Sequence, residues 1–232
     1  MITSYLLILN DTDIDILNSL IYSPDLSDII PDTRIDHYRN YKYPLHRVLS
    51  LSADLLCIYS LSLFIEKDIT GYDIERPFMM KPYLHDYPDI DFSYSHTDKA
   101  IFCAISDEGN VGADIENTRQ SIDYNELMVT LYPEEKECLG ALFPSHRREA
   151  FLSVWTKKEA YTKCLGKGLS ISPETINTLS PDFTSHVSTD KYGDYIYSLF
   201  FSTSAGVNLF NLLTSSELIT KYRTRITIYA TT

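Results

Sequence analysis

The sequence predicts an α+β fold made of two α/β halves that meet near Glu116 to Tyr124. Three observations lead there. Strand-like apolar runs near the amino terminus, between Asp91 and Glu116 and again after Pro173 flank two long stretches with helical spacing. The order is therefore strand, helices, strands, then helices and strands again. No low-complexity linker divides the chain, so the halves are expected to share an interface. The dividing line falls after Glu116, with residues 1–116 in one half and 117–232 in the other. No sequence repeat relates them, so any symmetry between them has to be structural.

Ser4 to Leu9 reads as a strand, and Asp and Thr supply capping chemistry for a helix beginning near Asp13. A basic stretch, Arg34 to Tyr43, leads past Pro44 into a long helix over Leu45 to Ile65. Leu45, Val48, Leu49, Ser52, Leu55, Leu56, Tyr59 and Leu63 fall at helical spacing, with Leu51, Ile58 and Leu61 off that stripe. Such a helix is buried on more than one side. Three strands follow a proline-containing connection: Asp91 to Ser95, Ala100 to Ser106 and Asn110 to Glu116. Asp107-Glu108-Gly109-Asn110 is expected to close a hairpin between the last two.

From Tyr124 the pattern returns to helix, and Pro133-Glu134-Glu135 suits a first helical turn. Ser145 is the expected N-cap of a helix running to Leu165, and Gly166 the residue that ends it. Tyr192 to Ser202, Gly206 to Leu213 and Tyr222 to Ala230 read as strands.

At 232 residues the chain can bury a substantial core. Its net charge of -12 argues against general binding to nucleic acid or an anionic membrane. Half of its 20 Lys and Arg residues nevertheless fall in two segments. One holds Arg34, Arg39, Lys42 and Arg47; the other holds Arg147, Arg148, Lys157, Lys158, Lys163 and Lys167. They either build a local anion site or form solvated helix faces. Cys57, Cys103, Cys138 and Cys164 lack C-x-x-C spacing and read as core residues in a reducing cytosol. The apolar start lacks a basic lead, so a strand is expected there instead of a signal peptide. No stretch reads as long enough to span a bilayer. A soluble, cytoplasmic protein is expected.

Two segments carry the chemistry. In Gly112-Ala113-Asp114-Ile115-Glu116 the strand period puts Asp114 and Glu116 on one face. In Trp155-Thr156-Lys157-Lys158-Glu159-Ala160-Tyr161-Thr162-Lys163, Glu159 and Lys163 stand one helical turn apart. Three carboxylates offer hard oxygen ligands of the kind that suit Mg²⁺ beside substrate phosphates. Taken alone, acids at a strand end are more often just solvated, and Glu159 and Lys163 could form a surface pair. Phe151 and Trp155 on the same stripe turn that face toward the protein body, where an unpaired carboxylate is costly. Gly112 marks a possible close approach by another group. Ser95 and His96, at a strand end, could donate hydrogen bonds to phosphate, and no G-x-S-x-G motif points to a serine hydrolase. Gly166-Lys167-Gly168 lacks the phosphate-loop frame and reads as helix termination.

Together these segments resemble the 4′-phosphopantetheinyl transferases, in particular the larger type that modifies carrier proteins of peptide and polyketide synthases. That family shows a Gly-Ile/Val-Asp-Ile/Val-Glu strand, then Trp-Ser/Thr-x-Lys-Glu-Ala/Ser-x-x-Lys, then Gly-x-Gly. Here only Ala113 departs from the first motif, and the second is complete from Trp155 to Lys163. Lys81-Pro82 resembles a Gly-Lys-Pro turn with Met80 in place of glycine. The segment from Phe92 to Thr97 resembles Phe-Asn-x-Ser-His-Ser/Thr, with Ser93 for asparagine. His46-Arg47 resembles the basic start of the long helix, with Val48 where threonine is common.

The resemblance implies two similar α/β halves related by a pseudo-two-fold axis within one chain, a monomer with coenzyme A and Mg²⁺ (or Mn²⁺) in the cleft. It implies transfer of the phosphopantetheine arm to a serine of an apo acyl or peptidyl carrier protein, releasing adenosine 3′,5′-bisphosphate. Asp114, Glu116 and Glu159 would then ligate the metal. Glu159 would also take the serine proton, and Lys163 would neutralise the departing phosphate. Arg39, Lys42, Arg47 and His96 would hold nucleotide phosphates, with Lys81, Ser95 and Lys158 as further contacts. Two other readings remain. One is a different Mg²⁺-dependent phosphoryl or nucleotidyl transferase; the other is a catalytically silent homologue that binds coenzyme A or a carrier protein.

Overall fold

Alternation along the first strand decides the layering. In β1, Ile2–Ile8, Tyr5 and Leu7 face one way while Ile2 and Leu6 face the other, and both sets are buried. A strand buried on both faces must lie between two layers. The computed structural model describes residues 1–119, 127–166, 170–203 and 208–228, and it supplies those layers.

Asn10 caps α1, Asp11–Leu20, through a reciprocal capping box with Asp13. The basic stretch folds into α2, Asp32–Asn40, and Pro44 opens α3, Pro44–Ile65. The two-residue strands β2, Ile74–Glu75, and β3, Tyr83–Leu84, pair with one another. Then come β4, Asp91–Thr97, β5, Ala100–Ser106, and β6, Val111–Asn117. The second helical run holds α4, Pro133–Ala141, and α5, Pro144–Cys164. A one-turn helix α6, Pro181–Thr184, precedes β7, Val187–Tyr192, β8, Tyr195–Phe201, β9, Asn208–Thr214, and α7, Ser215–Ile228.

One sheet runs β4-β5-β1-β9, with β9 parallel to β1 and the other pairs antiparallel. The second is antiparallel and runs β6-β8-β7. Helices α3 and α7 cover the outer face of the first sheet, with α1 and α2 packed on α3. Its inner face meets the second sheet, where Ile2, Leu6 and Phe102 pack with Val111, Ala113, Ile115 and Tyr197. Helix α5 covers the far side of the second sheet. The result is an α/β/β/α stack.

Both sheets repeat one connectivity: first strand, long helix, then a hairpin whose second strand pairs with the first strand. Each hairpin turns in two residues, with left-handed backbone at Asp98 (φ 45°) and Gly193 (φ 58°). The long helices also begin alike. Tyr43-Pro44-Leu45-His46-Arg47 opens α3 and Phe143-Pro144-Ser145-His146-Arg147 opens α5, a similarity that the sequence reading passed over.

Several expectations need correction. Asp107 to Asn110 is no hairpin, because β5 and β6 lie in different sheets and this turn carries the chain between them. Asn110 and Ser202 exchange hydrogen bonds there, extending the β6–β8 ladder. The strand expected over Tyr222 to Ala230 is helical to Ile228; 229 and 230 lie outside the described residues. Thr214 and Glu217 cap that helix, and buried Tyr222 donates to the Leu55 carbonyl at 3.0 Å, outweighing the β-branched composition. Phe143, not Ser145, occupies the N-cap of α5, because Pro144 takes the first helical position. By length and composition α3 does suffice to cross a membrane, contrary to the sequence reading, but 78% of its apolar window is buried inside the protein.

The division after Glu116 does not follow the sheets. Strand β6 pairs with β8, and β9 returns to β1. Gly206 and Gly168, at the edges of expected elements, lie outside the described residues, as does the helix start expected at Tyr124.

Candidate active site between the two sheets

Strands β4 and β6 lie edge to edge without a backbone ladder. Alternate side chains of β4 replace it. Asp91 Oδ2 accepts from the Val111 amide at 2.7 Å, and Ser93 Oγ accepts from the Ala113 amide at 3.0 Å. Further along, Ser95 Oγ donates to Asp114 Oδ1 at 2.8 Å and Thr97 Oγ1 donates to Glu116 Oε2 at 3.2 Å. The strand period that puts four β4 residues on one side makes this rail possible.

Helix α5 closes the site from the other side. A β-carbon on Gly112 would lie 1.8 Å from the Ala160 carbonyl oxygen and 2.5 Å from the Cys164 nitrogen. Only glycine allows that approach. Ala160 stands beside Glu159, so the contact carries Glu159 and Lys163 over β6. Lys163 Nζ reaches Asp114 Oδ1 at 2.6 Å.

Asp114 is buried, and its second oxygen, Oδ2, is buried with no hydrogen-bond partner among the described residues. Burial, then the Asp114 charge, pushes the Glu116 carboxyl up to about 7; Thr97 and Lys163 oppose the rise and Glu159 adds to it. Burial and Asp114 also raise Glu159, against Lys163. His96 is held below the ordinary imidazole range by partial desolvation, then by Lys163 and His46. The three carboxylates and Lys163 thus feel one another electrostatically, and the Lys163 charge is also felt at His96.

The donor set suits a hard cation, and an orphaned buried carboxylate oxygen is what such a cation relieves. The acids are not gathered into a closed cage: among the described residues no three His, Cys, Asp or Glu side chains form a ready-made cluster. A cavity of about 320 Å³, lined by Met79, Met80, Lys81, Pro82, Phe92 and Lys163, opens on the Lys163 side. Another of about 360 Å³ lies by His46, Asp98, Asn117 and Arg119.

The other residues singled out in the sequence divide. Arg39, Lys42 and Arg47 gather by the start of α3, beside His46. Arg39 donates to the Ile21 carbonyl and lies over Tyr22, Lys42 lies over Tyr43, and Arg47 donates to the Tyr41 carbonyl and the Tyr22 hydroxyl. No bond joins any of them to the carboxylates. Lys81 pairs with Asp91 and donates to the Val111 carbonyl, so in this structure it clasps the two sheets.

Lys158 is a correction. Neighbouring residues on a helix point apart, and it is buried away from the cleft, 2.6 Å from Glu135 and 2.9 Å from the Thr130 and Pro173 carbonyls. Arg34 is likewise spent, with Arg76, on buried Asp54. Gly166 has φ 63° and ends α5 as expected; Lys167 and Gly168 lie outside the described residues. Asp91 and Thr97 were missed. Their alternation with Ser93 and Ser95 along β4 was the available signal.

Residues 110–204 match the family described as the 4′-phosphopantetheinyl transferase superfamily. The chain is similar to a 4′-phosphopantetheinyl transferase of Bacillus subtilis, 33% identical over 111 residues, covering 47% of this chain and 48% of that protein. It is 30% identical over 148 residues to 4′-phosphopantetheinyl transferase Sfp of Bacillus subtilis strain 168, covering 63% and 64%. It is 36% identical over 76 residues to 4′-phosphopantetheinyl transferase AcpT of Escherichia coli K12, covering 32% and 39%. The chain spans about half the length of the curated relatives it matches. The matched segment is the one that carries β6 and α5, and over it the chain is similar to the 4′-phosphopantetheinyl transferase superfamily.

Proposed function

We propose that this chain is a Mg²⁺-dependent 4′-phosphopantetheinyl transferase of the holo-acyl-carrier-protein synthase type. It moves the phosphopantetheine arm of coenzyme A to a serine of an apo acyl or peptidyl carrier protein and releases adenosine 3′,5′-bisphosphate. The observation that carries the reading is the packing of Gly112 on Ala160. It brings the Asp-x-Glu strand and the Glu159–Lys163 helix into one charged centre.

Asp114, Glu116 and Glu159 would hold the cation, whose contribution when bound is to offset pyrophosphate charge as a Lewis acid. Glu159, whose raised basicity suits the task, accepts the proton of the carrier serine directly or through a water. The serine oxygen bonds to the β-phosphorus as the pyrophosphate bridge breaks, and the bisphosphate leaves with the bridging oxygen. Lys163 neutralises charge on the departing group. Arg39, Lys42 and Arg47 supply positive charge for the nucleotide phosphates and His96 a ring N–H donor, while the Ser95 hydroxyl is held by Asp114.

The matching strand orders support two halves related by a pseudo-two-fold axis. Both walls of the cleft come from one chain, which supports action as a monomer. The four cysteines are free, in keeping with a cytoplasmic setting.

The test is incubation with coenzyme A, Mg²⁺ and a panel of apo carrier proteins, read by intact mass. Addition of the arm to a carrier supports the proposal. No addition to any carrier, with coenzyme A binding shown separately, sinks it and favours a silent binding homologue. Glu159→Ala should abolish transfer while leaving the fold intact by circular dichroism.

A further inference from the structure

Thr97 ends β4 with its side chain buried. The next residue, Asp98, takes left-handed backbone at φ 45° to make the two-residue turn into β5. Its carboxylate accepts from Asn117 Nδ2 at 2.9 Å and from the Tyr195 hydroxyl at 3.4 Å. Consecutive residues of β4 and its turn, Thr97 and Asp98, thus hold consecutive residues of β6, Glu116 and Asn117. One step earlier on the same rail, Ser95 fixes Asp114 Oδ1 and leaves Oδ2 without a partner.

We propose that Thr97 is a positioning residue: its hydroxyl fixes Glu116 Oε2, so that the remaining oxygen stands with Asp114 Oδ2 as a ligand pair for a divalent cation. The inference rests on the functional reading above and extends it to a residue of the first sheet. Thr97 does not touch the cation or the substrates; it acts through Glu116. Groups that orient a metal ligand in this way commonly account for a substantial share of metal affinity.

The experiment is Mn²⁺ titration of the full chain, without coenzyme A, followed by electron paramagnetic resonance of the free ion. Wild type is compared with Thr97→Val, Thr97→Ala and Thr97→Ser, and the fold of each is checked by thermal melting. Val and Ala should bind Mn²⁺ roughly tenfold or more weakly than wild type. Ser, which restores the donor, should bind close to wild type. If Val fails to fold, Ala carries the comparison. Wild-type affinity in the Val and Ala variants overturns the inference and leaves the metal reading standing. So does a loss that Ser fails to recover. Failure of wild type itself to bind Mn²⁺ overturns the metal reading and the inference with it.

Discussion

The carbonyl oxygen of Ala160 occupies the space that a β-carbon on Gly112 would need, 1.8 Å away. This contact sets the distance between β6 and α5, and with it the position of Lys163 on Asp114. Gly112→Ala should therefore push the helix outward. Overpacking a core typically costs about 1–3 kcal/mol, and a backbone clash this close sits at or above the top of that range. The expected result is a lower melting temperature together with loss of Mn²⁺ binding. A Gly112→Ala protein that melts and binds Mn²⁺ like wild type would remove the packing argument.

Lys158 invites the opposite test. Its ammonium is 1% exposed and paired with Glu135, itself 0% exposed, whose other oxygen accepts from the Thr178 amide and hydroxyl. Removing one partner of such a pair costs about 3–5 kcal/mol, because a buried charge is left behind. Lys158→Met should be strongly destabilised in urea. Replacing both partners, with Glu135→Gln added, should recover much of the stability and bind coenzyme A as wild type does. Weak coenzyme A binding by a well-folded double variant would return Lys158 to the phosphate site.

How much of this was legible in the sequence depends on whether neighbours or distant segments decide a feature. The strand period puts Asp114 and Glu116 on one face, and a glycine within a strand marks the close approach at Gly112; both are local properties. Lys158 misled because it stands in the motif beside Glu159, while its partners come from Thr130, Glu135 and Pro173, which pattern alone cannot bring together. The hairpin at Gly109 failed for a related reason. Turn chemistry shows that the chain reverses, not which sheet receives the next strand. Tyr222 joined a helix because capping at Thr214 and a buried bond to Leu55 outweigh propensity.

The Glu116 carboxyl gives a pH signature with a definite sign. Burial and neighbouring acids raise it from an ordinary value of 4.5 to about 7, so the fold disfavours its charged form. Below the lower value both folded and unfolded chains hold the proton and there is no penalty. As pH rises through the interval the folded chain holds more protons than the unfolded one, and stability falls; above the upper value the penalty is constant. Burial and Asp114 act on Glu159 in the same direction. Without metal, wild type should therefore lose stability relative to Glu116→Gln as pH rises from about 4.5 to about 7. Urea unfolding across that range measures the difference. A difference that grows toward acid pH would reverse the assignment.

Lys163 offers the sharpest separation of binding from chemistry. Its side chain is 29% exposed and its ammonium lies 2.6 Å from Asp114 Oδ1, so a cation bound at Asp114 would share it with a positive charge already in place. Two like charges within a few ångströms repel by about 4 kcal/mol per unit pair at an effective dielectric constant near 20. Lys163→Met should therefore bind Mn²⁺ more tightly than wild type while failing to transfer the arm, since nothing replaces the charge facing the leaving phosphate. Electron paramagnetic resonance gives the first quantity and intact mass of the carrier the second. A purely structural role predicts that both fall together. Weaker Mn²⁺ binding in a folded Lys163→Met protein would mean that the lysine holds the carboxylates in place for the metal, and that its charge does not compete with it.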